Sequence, residues 1–142
     1  MEIVRMLEDE DITYFISGMA IGVDMYAAEI VLELKSAYNP DIKLECAIPC
    51  EGQSSKWPVA LQKRYTDIVG KCDKKTLIQK DYTTDCMEKR NRYMVDQADA
   101  LIAVWNGKPS GTGKTVRYAL VKNKPVRIIN PVTLFVQEKP EV

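Results

Sequence analysis

The run Ser110-Gly111-Thr112-Gly113-Lys114-Thr115 has the plainest chemical capacity in this chain. Its small side chains let backbone N–H groups approach an anion closely, and Lys114 supplies charge to neutralise one. A helix beginning near Lys114 would aim its positive N-terminal end at the same point. A second glycine-bearing turn, Gly18-Met19-Ala20-Ile21-Gly22-Val23-Asp24, offers another backbone cradle with a carboxylate at a helix start. Asp24 there either favours the helix dipole or receives a ribose hydroxyl, as carboxylates do in dinucleotide folds.

Gly113-Lys114-Thr115 matches the end of the GxxxxGK[ST] phosphate-loop pattern, but the glycine required at position 108 is replaced by Lys108. No strand ending in the aspartate of a second nucleotide motif follows. The first alternative is a glycine-rich turn with no ligand. Arg90 and Asn91 open a similar choice. On a helix over Asp85–Gln97, Asn91 falls on the apolar stripe of Met87, Met94 and Ala98, where a polar group needs a partner. Either Asn91 ties a neighbouring loop and Arg90 is a surface charge, or both reach a ligand and Arg90 pairs a phosphate. Trp57 and Tyr82 suit packing at helix starts better than stacking on a base.

These residues need elements to hold them. Ala100–Trp105 is a short continuous apolar run, the pattern of a strand covered on both faces. Ile12–Ile16, Leu44–Ile48, Thr76–Gln79 and Val126–Ile129 read as further strands. Between them lie helical stretches: from Val23, with Ala27, Ile30, Val31 and Leu34 as its apolar stripe; from Pro58 to a stop at Gly70; and from Asp85 to Gln97. Residues 1–11 read as the remnant of a first helix and residues 131–142 as a tail with a short strand at Leu134–Val136. The alternation predicts βαβ units in an open, doubly wound parallel sheet with helices on both faces. Ligands of such sheets bind outside the carboxyl ends of the strands, where both glycine turns fall. Two anion-accepting turns at strand ends suit a ligand with phosphate and sugar parts, such as a nucleotide.

Composition narrows the classes further. At 142 residues the chain is expected to form one domain. Twenty Lys and Arg balance 20 Asp and Glu, so no global field favours nucleic acid or an anionic membrane. No stretch is long enough to span a bilayer and no secretory leader is apparent, which makes the cytoplasm the expected location. Cys46, Cys50, Cys72 and Cys86 have no CxxC spacing, and the chain contains no histidine. Buried or free thiols are expected rather than a metal set, and His-dependent nucleophilic catalysis is excluded.

Ser17-Gly18-Met19-Ala20-Ile21-Gly22-Val23-Asp24 with Ala27-Ala28, then Arg90-Asn91 with Met94-Val95, then Asp99-Ala100-Leu101, Gly111-Thr112 and Thr115-Val116-Arg117-Tyr118-Ala119 resemble the SLOG superfamily, in particular its YpsA-like branch of bacterial and phage proteins. The resemblance covers roughly Ile12 to Asn130. It implies a Rossmann-like fold that binds nucleotides or their derivatives, and relatives that include LOG phosphoribohydrolases and the single-stranded DNA binder DprA. Two departures matter. The LOG signature PGGxGTxxE carries a working glutamate, whereas Pro109–Tyr118 contains no acid. The family also opens with a strand and a phosphate loop upstream of the first helix; here these are expected to be missing through truncation or supplied by a neighbouring chain in a homo-oligomer, since an unpaired strand favours association.

The expectation is therefore a nucleotide-binding protein, a sensor of an ADP-ribose-like or NAD-like ligand. No cofactor beyond a bound nucleotide is implied and no catalytic residue is assigned. Gly111, Thr112, Gly113, Lys114 and Thr115 with Arg90 and Asn91 would hold phosphate; Gly18, Met19, Gly22 and Asp24 would take the ribose side. One rival, a nucleoside-monophosphate phosphoribohydrolase, needs a carboxylate, for which Asp24, Glu51 and Asp81 are candidates. Another, single-stranded DNA binding, needs a basic groove that evenly spread charges do not promise.

Overall fold

The computed structural model describes residues 2–138; residues 139–142 of the expected tail, and Met1, lie outside the described residues. The order is α1 (Glu2–Asp9), β1 (Tyr14–Ser17), α2 (Val23–Ala37), β2 (Lys43–Ile48), α3 (Val59–Lys71), β3 (Lys74–Leu77), α4 (Cys86–Gln97), β4 (Leu101–Val104), α5 (Gly111–Val121), β5 (Val126–Ile129) and β6 (Val136–Glu138). This is an α/β fold with parallel strands flanked by helices, of the Rossmann-like kind. The chain divides into two compact units, Met1–Cys86 and Met87–Val142.

In the first unit β1, β2 and β3 form a parallel sheet in that order, with Ile16 opposite Glu45 and Ala47 opposite Thr76. The central strand, β2, is buried from Leu44 to Ile48, as the side chains of a strand covered on both faces must be. One of them is charged. Glu45, 2 % exposed, accepts hydrogen bonds from Tyr14 Oη at 2.5 Å and Thr76 Oγ1 at 2.8 Å, one from each flanking strand. Without such donors a carboxylate in this position would be strongly disfavoured. Met25, Ala28 and Val31 are the buried face of α2, whereas Val23, expected on the stripe, is half exposed. Gly70 does not end a helix; α3 runs through it to Lys71. Trp57 packs edge-on against Tyr65, ring centroids 5.4 Å apart, while Tyr82, expected to pack at a helix start, is exposed.

In the second unit β4 and β5 pair in parallel and β6 joins β5 antiparallel, starting two residues later than the expected Leu134. Val95 of α4, Ala103 of β4, Val116 and Ala119 of α5, and Val126 and Ile128 of β5 make the core. Polar contacts lock the helices above it: Tyr118 Oη donates to Asp96 at 2.7 Å, and the Arg92 guanidinium lies 5.3 Å from the Tyr118 ring centre. The hydrogen bond to Asp96 raises the Tyr118 phenol above its ordinary pKa.

Candidate functional site

The loop from β4 to α5 is built from local capping chemistry. Trp105 continues the strand by donating its N–H to Ile129 O at 3.0 Å, and its indole Nε1 donates to Lys108 O at 2.7 Å. The chain then enters α5 at Gly111, three residues before the expected start, because Ser110 is an N-cap. Ser110 Oγ accepts from the Gly113 N–H at 3.1 Å, and its carbonyl accepts from Lys114 N–H at 3.1 Å. A helix leaves its earliest amides without intrahelical acceptors. With Gly113 and Lys114 engaged, the amides of Gly111 and Thr112 are the open donors at the positive end of α5.

The five residues expected to cradle phosphate thus divide by role. Gly111 and Thr112 are exposed and offer amides, and Lys114 is exposed beside them. Gly113 is buried against Trp105, and Thr115 Oγ1 donates back to Gly111 O at 3.0 Å. Thr115 and Gly113 therefore serve the helix start itself. A serine directly ahead of a helix is the signal that identifies this cap in sequence.

Arg90 corrects the first expectation about it. It is 4 % exposed, not a surface charge, because it lies one turn beyond buried Cys86 on the inward stripe of α4. Its Nε donates to the Asn91 carboxamide oxygen at 2.8 Å, so Asn91 finds its partner in the neighbouring side chain rather than in a loop backbone. The whole unit is electropositive. Met87–Val142 carries 10 Lys and Arg against 5 Asp and Glu, while Met1–Cys86 carries 10 against 15. The balanced total conceals this division.

Gly18, Met19, Gly22 and Asp24 belong to the first unit, at the carboxyl end of β1. Met19 is fully buried with φ of 56° and Gly22 has φ of 98°, two left-handed residues that reverse the chain before α2. Ser17 Oγ donates to Asp24 O at 2.8 Å and accepts from Met19 N–H at 3.2 Å; Asp24 Oδ2 accepts from Ala20 N–H at 3.3 Å. Asp24 therefore holds the turn. Gln53, which sequence reasoning passed over, reaches in from the loop after β2, its Nε2 3.5 Å from Gly18 O. Parallel pairing of β1 with β2 puts the two loops at one end of the sheet, which strand spacing in sequence does not reveal.

A separate groove of about 830 Å³ lies between α2 and α3, lined by Glu29, Leu32, Glu33, Arg64, Asp67 and Lys71 among others. Leu32, Glu33, Asp67 and Lys71 occupy the C-terminal halves of their helices, with Glu29 and Arg64 just before the midpoints, so the groove lies away from the glycine turn that precedes α2. Arg64 there is already paired with Glu29. Among the described residues no group of three or more His, Cys, Asp or Glu side chains is arranged to hold a metal ion, and no helix is long and apolar enough to cross a membrane.

Comparison with known proteins gives a consistent picture. Residues 1–134 match the YspA SLOG family. A UPF0398 protein of Brevibacillus brevis is 34 % identical over 118 residues, covering 80 % of this chain and 60 % of that protein. The SPbeta prophage-derived protein YoqJ of Bacillus subtilis is 29 % identical over 129 residues, 82 % of this chain and 75 % of YoqJ. A UPF0398 protein of Halalkalibacterium halodurans is 28 % identical over 111 residues, 77 % of this chain and 58 % of the relative. The chain spans about three fifths of the length of these two UPF0398 relatives.

Proposed function

Because the chain belongs to the YspA SLOG family, we propose that it binds a nucleotide or nucleotide derivative and acts as a ligand sensor rather than a hydrolase. The observation that carries the reading is the start of α5. Two exposed, uncapped amides at Gly111 and Thr112 stand at a helix's positive end, with Lys114 one turn in. The surrounding unit has an excess of five basic over acidic residues. Phosphate is the ligand group that such amides and charges stabilise.

The glycine turn at Gly18–Asp24 offers a second set of backbone groups, in the first unit. Its carboxylate is engaged in holding the turn, so recognition there falls to backbone groups. No carboxylate occurs in Pro109–Tyr118, where the related hydrolases carry theirs, and this favours binding over base release.

Calorimetric titration with AMP, ADP-ribose and NAD tests the proposal, with Gly111→Asp as the informative variant. A Cβ at Gly111 meets open space and an acid at this position suits the helix dipole, so the variant folds. Binding by the parent and a tenfold or greater loss in the variant, about 1.4 kcal/mol, is expected. Equal binding by both would remove the phosphate from this site, and no binding by the parent would overturn the reading. Liberation of free base from AMP during the same titration would decide for the hydrolase.

A further inference from the structure

Gln53 brings an unanswered acceptor to the glycine turn of the first unit. Its Nε2 lies 3.5 Å from Gly18 O, the outer limit of a hydrogen bond, while its Oε1 is buried and meets no donor among the described residues. A buried acceptor in that state costs stability, so bracing the turn does not account for a glutamine here. The loop that carries it is firmly built. Glu51 N–H donates to Lys80 O, Ser55 N–H to Gly52 O and Trp57 N–H to Ser54 O, each at 3.0 Å, and Gly52 is left-handed with φ of 71°. The backbone thus fixes where Gln53 stands, and one weak contact leaves its side-chain torsions able to redirect the carboxamide.

The start of α2 has the complementary deficit. Its N-cap is Gly22, and no side-chain hydrogen bond caps the helix. The amide of Val23, the first helical residue, has no intrahelical acceptor, and Val23 is half exposed. Ser17 Oγ, bonded to Asp24 O and Met19 N–H, and the Asp24 carboxylate, bonded to Ala20 N–H, fold this helix start back onto residues 17–20. Gln53 and the open amide therefore belong to the same turn. We propose that together they bind a sugar hydroxyl, Gln53 Oε1 accepting from its O–H and the Val23 N–H donating to its oxygen.

The pairing of one acceptor with one donor selects the ligand class. An ammonium group only donates and would leave the amide open. A phosphate only accepts and would set its oxygens against Gln53 Oε1. A hydroxyl does both. The first unit also carries 15 Asp and Glu against 10 Lys and Arg, which disfavours an anion there. This assignment rests on the nucleotide-binding reading and narrows it: the first unit recognises the ribose by its hydroxyls, and Gln53 is the residue that discriminates.

Calorimetric titration of the full chain with adenosine, which has no phosphate, and with 2′,3′-dideoxyadenosine tests this on the parent and on Gln53→Met, a side chain of similar length without the carboxamide. The parent is expected to bind adenosine about tenfold or more tightly than the dideoxy analogue, a difference of about 1.4 kcal/mol, and Gln53→Met to bind the two alike. Because the substitution removes an orphaned acceptor, its urea midpoint should equal or exceed the parent's, whereas loss of a bracing residue would lower it. A variant that still prefers adenosine, or one with a lowered midpoint, overturns the proposal. A parent that binds AMP but not adenosine, or binds both nucleosides alike, overturns it and leaves the nucleotide reading standing; a parent that binds neither AMP nor adenosine overturns both.

Discussion

A β-carbon placed on Gly113 would stand 2.9 Å from Cζ2 of Trp105. The indole packs against the first turn of α5 and is tied there by its own bond to Lys108 O. Gly113, the most motif-like residue of the chain, is therefore a packing residue. Gly113→Ala is expected to destabilise the protein by ~1–3 kcal/mol through overpacking. Chemical denaturation would measure it; an unchanged midpoint would mean that the indole moves aside freely.

Gly22 and Gly70 make opposite predictions. Gly22 has open space around its α-carbon but φ of 98°, so Gly22→Ala is penalised by the backbone alone, by ~1–3 kcal/mol. Gly70 also meets open space, inside α3 with no left-handed φ. Gly70→Ala should stabilise by ~0.5–1 kcal/mol. Thermal melts of the two variants should move in opposite directions.

Removing the hydroxyl of Tyr14 isolates the hydrogen bond to buried Glu45. The ring is nearly half exposed and keeps its packing in Tyr14→Phe, while Glu45 loses its 2.5 Å donor. A loss of ~1–3 kcal/mol is expected. Urea denaturation at neutral pH reads this directly, and a neutral result would show that Thr76 and other donors suffice.

Asp73 predicts a pH dependence. The Lys35 ammonium and then the Leu44 N–H hold its carboxyl below the usual carboxylate range. A pKa depressed by folding means that the unfolded chain binds the proton more readily, so this contribution is present above the unfolded pKa of about 3.9 and fades as pH falls through the lower folded value. Stability of Asp73→Asn should approach that of the parent as pH falls below 4, the gap being largest near neutrality. A gap constant with pH would locate the effect in packing.

Fold and site were legible in unequal measure. Strand and helix types follow from local periodicity, and nearly every element stands within a few residues of its expected place. The glycine-rich run announces a helix start, expected near Lys114, but the helix begins at Gly111 because Ser110 caps it, a signal of neighbours in sequence that the glycines masked. Gly113 and Thr115 could not be assigned from sequence, because their partners, an indole eight residues back and a carbonyl one turn away, depend on how the loop closes. For Arg90 the sequence leaves a surface charge and a phosphate partner both open; its burial removes the first, because burial depends on what packs over α4 and not on residue type.

What the sequence determined by itself was the alternation of strands and helices, the two glycine turns and the absence of histidine chemistry, all set by residue type and short-range spacing. Tertiary structure alone decided that Gln53 reaches the Gly18 turn and that Glu45 is held by donors on both neighbouring strands. These depend on parallel pairing of strands about thirty residues apart, for which no local pattern of side chains encodes the partner.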